Sequence, residues 1–301
     1  YPGMNPTDEH TWMSTGKTTA GLLPVLLWEE GKLDFNKPVP AYVPSLEGSA
    51  WDAVTVKNAM NMSAGLDIEE TFSNLVNPKS WIARFFTAVF DGVGDQWQQM
   101  LKEAKPIAGE RPGDLFRYSS AITMVLILAV ENITGMPWQE YWGQRVWSKI
   151  GARNPFMVCL TPDGVPLGAG LVNSTAEDML RYAHLYTPSW RVVAKEQVIS
   201  DKALKCIETL GDPRAYPKSE ECKMGTKWFG ETPERNTAQW DHAFADGAMF
   251  KHGNMGQGIY VDPVRDFCGM YFGLASNLEN ISGVDHSPGY LRAAAKMLAG
   301  K

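Results

Sequence analysis

The sequence predicts an α+β protein with an antiparallel sheet flanked by helices and a mostly helical lobe. Helical periodicity dominates the first part of the chain, and short runs rich in β-branched and aromatic residues follow after about residue 223. This order of elements is typical of that fold class. No repeat or linker interrupts the 301 residues, so we expect one unit over residues 1–301. Its helical lobe, at about 50–190, is expected to lie between a first helix at 14–30 and a sheet region at 223–301.

The first predicted helix covers residues 15–28, because four leucines between positions 22 and 27 lie on one side of it. It is expected to end at Gly31, and prolines at 38, 40 and 44 then exclude a helix. A capping box from Ser174 to Glu177 predicts a later helix that runs through Tyr186. The helical patterns between these two helices are at 55–62, 80–90, 95–104, 119–133 and 137–149.

The predicted sheet follows residue 223. Alternating or continuous apolar runs separated by turn residues, such as those at 262–266, are typical of short antiparallel strands. A final helix is predicted at 289–298. The predicted strands are at 226–230, 243–251, 258–261 and 267–275.

Charge and apolar run length exclude several classes of partner. Lys and Arg number 28 against 34 Asp and Glu, which gives a net charge of −6 and a pI near 5.5. No broad cationic surface is therefore expected, which argues against nucleic acid or an anionic membrane as a partner. The longest apolar run, at 124–130, is far shorter than the roughly 20 residues of a membrane span. We expect a soluble protein and leave its compartment, cytoplasmic or periplasmic or secreted, open.

The four cysteines form no CxxC pair and have no histidine at metal-ligand spacing. The sequence therefore predicts neither a metal site nor a cofactor. Cys206 and Cys222 bracket a loop and could form a disulfide, although free thiols are the simpler expectation.

Ser14 and Lys17 form a Ser-x-x-Lys motif at the start of the first predicted helix. Residues three apart are neighbours on a helix face, and the helix dipole favours negative charge that develops at its start. A desolvated lysine can lose its proton near neutral pH and activate a hydroxyl. Alone, the motif is weak, because an N-cap serine beside a solvated lysine explains it equally simply.

Two further segments have the chemistry to complete such a site. Tyr118, followed by Ser119 and Ser120, is predicted where a loop meets an apolar helix, and a lysine ammonium nearby would lower its pKa enough for it to act as a base. Gly253 lies between two predicted strands, where a glycine lets the backbone approach a ligand and an edge amide can bind an oxyanion. The simpler explanations are an aromatic lead-in to a helix and a glycine hairpin.

Taken in order, these three segments resemble the motifs of the serine β-lactamase and penicillin-binding-protein superfamily. The stretches at 31–39 and 61–66 are similar to its class C β-lactamase and esterase branch. Those at 168–178 and 256–263 are most similar to the branch that contains 6-aminohexanoate-dimer hydrolase. The resemblance covers nearly the whole chain, and the ordered set is far more specific than any one motif.

The resemblance implies a penicillin-recognising fold and catalysis through an acyl-enzyme. It implies that Ser14 is the nucleophile, Lys17 its activator and Tyr118 the general base that later protonates the leaving group. The substrate-binding residues would be Ser120, Lys251, His252, Gly253 and Asn254. The backbone amides of Ser14 and Asn254 would form the oxyanion hole.

Two departures from the family pattern shape the expected function. Ser120 stands where β-lactamases have asparagine, and His252 stands where they have threonine. These changes favour a serine hydrolase acting on a small linear amide or carboxylic ester. The alternatives are a β-lactamase or DD-peptidase, an acyltransferase of the same fold, and a non-catalytic binding or scaffold relative, which would require none of the three catalytic residues.

Only thirteen residues precede Ser14, whereas strands of the central sheet normally precede the nucleophile in this superfamily. We therefore expect those strands to be missing from this chain, and a separate N-terminal segment or a homo-oligomer could supply them. The acidic stretch from Asp67 to Glu70 is predicted to be a solvated face, with attraction of an amine-bearing substrate as the alternative.

Overall fold

A computed structural model describes residues 5–274 and 286–298 of the chain. Short 3₁₀ turns connect many of its longer elements. The α-helices in the described residues are α1 (Lys17–Glu29), α2 (Val56–Met60), α3 (Phe72–Val76), α4 (Trp81–Asp91), α5 (Gln96–Leu101), α6 (Ser120–Thr134), α7 (Trp138–Arg145), α8 (Ala176–His184), α9 (Asp201–Thr209), α10 (Glu220–Phe229) and α11 (Ser287–Leu298).

The strands in the described residues form two antiparallel sheets. They are β1 (His10–Thr11), β2 (Met157–Val158), β3 (Val172–Ser174), β4 (Arg235–Thr237), β5 (Trp240–Ala243), β6 (Met249–Gly253), β7 (Gln257–Asp262) and β8 (Phe267–Tyr271). The small sheet has the strand order β1-β3-β2, and the larger one runs β4-β5-β6-β7-β8 in chain order. Helices α1, α8, α10 and α11 pack against the larger sheet.

Helix α1 lies in the centre of the core. All of its residues from Lys17 to Leu27 are buried, as are those of α6 from Ser120 to Val130, and these two helices pack on each other. Helices that are apolar on all sides are expected in such a position. At Gly21 a Cβ would lie 2.2 Å from the carbonyl oxygen of Ala238, so only glycine lets α1 approach the turn between β4 and β5 so closely.

Most of the predicted helices are confirmed with shifted ends. Helix α1 begins at Lys17 because residues Met13–Gly16 form a 3₁₀ turn. Helix α8 is capped by Thr175, whose hydroxyl accepts from the amide of Asp178, so the cap lies one residue after the predicted box. Helix α9 was not among the predicted elements. The antiparallel sheet flanked by helices is the predicted fold class, whereas the lobe boundaries at 50 and 190 stay a prediction.

The strand predicted at 226–230 is wrong, because these residues end helix α10. The Ser219 hydroxyl caps that helix, and Gly230 closes it in the left-handed conformation. The strand predicted at 243–251 is a hairpin, since β5 ends at Ala243 and β6 begins at Met249. The last strand, predicted to reach residue 275, ends at Tyr271, and residue 275 lies outside the described residues.

The structure also shows the state of the cysteines and the length of the apolar helices. Cys206 and Cys222 are free thiols, as are Cys159 and Cys268. Among the described helices, none alone combines the length and apolar character that crossing a membrane requires. One pair, Ser120–Thr134 with Trp138–Lys149, meets both criteria only when its two members, bent by 76°, are taken together.

Candidate active site

Trp12 holds the segment that carries Ser14 in place through two hydrogen bonds. The buried indole of Trp12 donates to the hydroxyl of Ser174 at 2.8 Å, and its backbone amide donates to the carbonyl of Val172 at 2.8 Å. Met13 then adopts a positive φ of 46°, a strained conformation that is rare for a residue with a side chain. Ser14 follows in the 3₁₀ turn that leads into α1, so its hydroxyl is held at the start of a buried helix.

Lys17 lies beside this hydroxyl. Its Nζ is 3.0 Å from Ser14 Oγ and donates to the carbonyl oxygen of Ala169 at 2.5 Å. The side chain is fully buried, and this desolvation lowers the pKa of Lys17 to about 7, although the charge of Glu70 raises it in part. A substantial fraction of Lys17 is therefore neutral at physiological pH, with its lone pair available to a proton from Ser14.

Tyr118 lies between two lysines. Lys251 Nζ is 3.2 Å from Tyr118 Oη, and the Nζ atoms of Lys17 and Lys251 lie 5.1 and 4.6 Å from the centre of the phenol ring. The expected lowering of its pKa is wrong. Burial, followed by the carboxylates of Asp241 and Glu70, raises the pKa of Tyr118 well above that of a free phenol. The phenol therefore stays protonated at neutral pH, and Lys17 is the stronger candidate for the base.

Lys251 is held by a carboxylate that the sequence analysis did not assign to the site. Asp241 Oδ1 lies 2.5 Å from Lys251 Nζ, and both side chains are almost fully buried. The other carboxylate oxygen accepts from the backbone amide of His252 at 3.1 Å. Asp241 is on β5 and Lys251 on the neighbouring strand β6, so only the strand pairing brings them together.

His252 pairs with a second carboxylate that sequence reasoning missed. Its Nε2 lies 2.5 Å from Glu221 Oε1, and its ring stacks on Tyr118 with centroids 6.3 Å apart. Although burial raises the pKa of Glu221, the neighbouring His252 and Lys251 hold it below its usual value. Glu221 was missed because it lies in α10, where the sequence predicted no helix.

The end of β6 lies against the backbone of Trp12 and Ser14. A Cβ at Gly253 would lie 2.7 Å from the carbonyl oxygen of Trp12 and 3.0 Å from the amide nitrogen of Ser14. Glycine is thus required for β6 to reach this position, as the sequence predicts for a close backbone approach. It places Asn254, the next residue, at the edge of the same cleft as Ser14.

Glu70 and Ser120 line the same cleft as Ser14. The Ser120 amide, at the start of α6, donates a short hydrogen bond to the Glu70 carboxylate, and the Glu70 amide donates to the carbonyl of Tyr118 at 2.8 Å. The predicted solvated face is correct only in part, because Glu69 pairs with Arg117 while Glu70 lines the cleft. Its position in an acidic run gave the one sequence signal for it.

Two cavities meet at Ser14. The first, of about 260 Å³, is lined mainly by apolar side chains, four of them from α4: Phe85, Phe86, Val89 and Phe90. The second, of about 220 Å³, is more polar, and Tyr118, Glu221 and His252 line it. Both cavities are bordered by Ser14, Glu70, Leu75 and Asn254. We call them the apolar cavity and the polar cavity.

One group of side chains in the described residues has the donor atoms for a metal ion: Glu221, Asp241 and His252, whose ligand atoms lie within 4.8 Å of one another. These atoms already serve other partners. Glu221 and His252 hydrogen-bond each other, and Asp241 pairs with Lys251. The ammonium of Lys251 supplies positive charge beside Asp241, where a metal ion would supply it in a metal site.

Comparison with known proteins identifies the family. Residues 3–295 match the family model described as beta-lactamase. The chain belongs to the beta-lactamase family. Membership confirms the family predicted from the ordered motifs and the fold expected for it.

Two curated relatives of this chain are named as a hydrolase and a putative carboxypeptidase. Over 278 residues the chain is 26% identical to a 6-aminohexanoate-dimer hydrolase of Paenarthrobacter ureafaciens. This match covers 88% of the chain and 66% of that hydrolase. Over 174 residues it is 24% identical to a putative D-alanyl-D-alanine carboxypeptidase of Salmonella typhimurium, covering 56% of this chain and 39% of that protein. The chain thus spans less than two thirds of the length of these relatives.

Solved structures support the beta-lactamase family fold. A putative 6-aminohexanoate-dimer hydrolase from Bacillus anthracis superposes with a TM-score of 0.73 at 21% identity, over 99% of this chain and 75% of that chain. EstCE1, a hydrolase with promiscuous acyltransferase activity, superposes with a TM-score of 0.69 at 19% identity, over 97% and 86% of the two chains. At these identities the structural likeness concerns the fold.

Proposed function

We propose that this chain is a serine hydrolase that cleaves a small linear amide or carboxylic ester through an acyl-enzyme on Ser14. The observation that carries the proposal is the 3.0 Å approach of Lys17 Nζ to Ser14 Oγ, together with the pKa of about 7 that burial gives Lys17. A nucleophile within hydrogen-bond reach of a partly neutral base is the arrangement that acyl transfer needs.

In the proposed acylation step, neutral Lys17 accepts the proton of Ser14 as Oγ attacks the substrate carbonyl carbon. The oxyanion of the tetrahedral intermediate accepts hydrogen bonds from the backbone amides of Ser14 and Asn254, which the close approach of Gly253 supports. The proton then passes through the Tyr118 hydroxyl to the leaving nitrogen or oxygen, whose bond to carbon breaks. Tyr118 is suited to this relay because its high pKa keeps it protonated.

In the proposed deacylation step, a water molecule enters from the polar cavity and gives its proton to Lys17 while attacking the ester carbonyl. Collapse of the second tetrahedral intermediate returns the proton to Ser14 Oγ and releases the carboxylic acid. Lys251 stabilises the negative charge that develops near Tyr118 Oη, and Asp241 holds its ammonium in place. The names of the relatives, an amide hydrolase and a carboxypeptidase, support acyl transfer at carbonyl carbon as the reaction.

The test is intact mass spectrometry and peptide mapping after exposure to a fluorophosphonate. Wild type should carry one adduct on Ser14, Ser14→Ala should carry none, and Lys17→Ala should react much more slowly. Exposed-site variants, Ser148→Ala and Lys205→Ala, serve as matched controls and should react like wild type. Turnover of an activated ester should fall by about a million-fold in Ser14→Ala. Well-folded wild type without an adduct would indicate a non-catalytic relative.

A further inference from the structure

The two cavities that meet at Ser14 differ in a way that distinguishes the two halves of a substrate. Apart from Glu70 at the junction, no ionisable side chain is among the described residues that line the apolar cavity. The polar cavity contains Tyr118, Glu221 and His252. We infer that a substrate whose carbonyl lies at Ser14 extends one half into each cavity, so its orientation decides which half becomes the acyl-enzyme.

The position of Tyr118 fixes this orientation, on the basis of the mechanism proposed above. The leaving atom has to receive its proton from the Tyr118 hydroxyl, and Tyr118 lines the polar cavity but not the apolar one. A general acid must lie within hydrogen-bond reach of the atom that it protonates. The leaving alcohol or amine therefore lies in the polar cavity, and the acyl group that stays on Ser14 lies in the apolar cavity.

The shape of the apolar cavity indicates a chain longer than an acetyl group. Its wall follows α4 from Phe85 to Phe90, which at 1.5 Å per residue covers about 7.5 Å of helix. Met124 of α6, Leu167 and Leu171 line it as well. We propose that the substrates of this site are esters or amides of medium-length, uncharged aliphatic acids, with the acyl chain held against α4 and the polar leaving group beside Tyr118.

The test is the dependence of kcat/KM on acyl length for acetyl, butyryl, hexanoyl and octanoyl esters of one common alcohol. Each methylene group buried in the apolar cavity should raise kcat/KM about fourfold until the cavity is full. The gain per methylene should be much smaller when the same chains are moved to the alcohol half of an acetate ester, because that half lies in the polar cavity. A flat profile, or equal gains on both halves, would overturn the proposal.

Substitutions of residues that line the apolar cavity test whether the preference for acyl length arises in this cavity. Val89→Phe fills part of the cavity and should shift the preferred acyl length to shorter chains, whereas Val192→Phe makes the same change at an exposed site and should keep the wild-type profile. Phe90→Ala, at a side chain that is 52% exposed, removes one wall without disturbing the core and should reduce the gain per methylene. Wild-type profiles in both variants would contradict the assignment.

Failure of this inference is distinguishable from failure of the proposed function. Ser14-dependent turnover without chain-length preference would leave the hydrolase intact and overturn the acyl-chain assignment. No Ser14-dependent turnover of any ester or of the matching amides would overturn both. Competitive inhibition by alkylboronic acids, which bind a nucleophilic serine without turnover, should follow the same chain-length order in wild type and lose it in Val89→Phe.

Discussion

At the scale of single residues, burial rather than neighbouring charge sets the proton affinities in the site. Lys17 lies beside a carboxylate, Glu70, which favours the ammonium, yet desolvation outweighs that charge and lowers its pKa to about 7. Desolvation is also the main reason why the pKa of Tyr118 is raised although two lysines face its ring. Burial therefore favours Lys17 as the base and Tyr118 as the proton carrier in the proposed mechanism.

The activity of the protein should follow the titration of Lys17. In the proposed mechanism the neutral amine of Lys17 is the active form, so kcat/KM for an uncharged ester should rise with pH through a midpoint near 7. Glu70→Gln keeps an oxygen acceptor for the Ser120 amide but removes the charge that raises the pKa of Lys17, so the midpoint should move to lower pH. Glu69→Gln is the matched control, since Glu69 pairs with Arg117 instead. A midpoint that Glu70→Gln leaves in place, or raises, would argue against Lys17 as the base.

The sequence predicts which residues form the candidate site better than it predicts their pKa values. The motif spacing brought out Ser14, Lys17 and Tyr118, which the structure places together. The direction of the Tyr118 pKa could not be predicted, because it depends on burial and on Asp241 and Glu70, which lie far from it in sequence. The pair of Asp241 and Lys251 depends on strand register, and a single sequence does not contain that information.

At the scale of elements, the end of β6 determines how closely the sheet approaches the nucleophile. Gly253 faces the carbonyl of Trp12 and the amide of Ser14, both of which are backbone atoms that cannot move aside as a side chain could. The same strand carries Lys251, two residues earlier, which places its ammonium beside Tyr118. The distance between β6 and the Ser14 turn is therefore a property on which the oxyanion site and the lysine both depend.

A methyl group added at Gly253 should push β6 away from the turn that carries Ser14. Gly253→Ala places a Cβ 2.7 Å from the carbonyl oxygen of Trp12, so the strand must shift and kcat should fall by 10²-fold or more. Gly143→Ala is the matched control, because nothing lies within 4 Å of a Cβ at that position of α7. It should leave kcat unchanged and stabilise the protein slightly. Equal kcat values in the two variants would show that the β6 contact does not position the site.

The elements differ in how well their sequences indicate them. Helices α1 and α6 were predicted because each carries a continuous apolar run between clear end signals. The end of helix α10 has the composition of a strand, because its aromatic residues at 228 and 229 lie close to a threonine and a glycine, which are common in strands and turns. Its identity depends on the Ser219 cap and on the packing of Gly225 against the buried His242, a contact made only in the folded chain.

At the scale of the whole molecule, the site lowers the stability of the core that holds it. Lys17 lies on the central helix α1, where every neighbouring residue up to Leu27 is buried. A lysine with a pKa of about 7 in the folded protein and 10.5 in the unfolded chain takes up a proton on unfolding between these pH values. Protonated Lys17 therefore favours unfolding, and wild-type stability should rise with pH across this window.

Lys17→Met should yield an inactive protein that is more stable than wild type. At pH 6.5 the gain in unfolding free energy has an upper limit of about 5 kcal/mol from the pKa difference, reduced because the Ala169 carbonyl loses its donor. The gain should shrink as the pH rises toward 10, since Lys17 is then neutral in the folded state and losing its proton costs less as the pH approaches the pKa of 10.5 in the unfolded chain. Urea unfolding at several pH values measures it, with the exposed Lys205→Met as the control. A destabilised Met variant with an unchanged pH slope would contradict the burial of a costly charge.

The contacts around Lys17 also link the expected reactivity of Ser14 to folding during synthesis. Ser14 and Lys17 are synthesised together, whereas the carbonyl of Ala169 and the side chain of Lys251 are added 152 and 234 residues after Lys17. Before those segments dock, a hydrated Lys17 should keep its ordinary pKa and leave Ser14 no more reactive than any other serine. A serine-directed label applied to stalled nascent chains should therefore react with Ser14 only after these segments have docked.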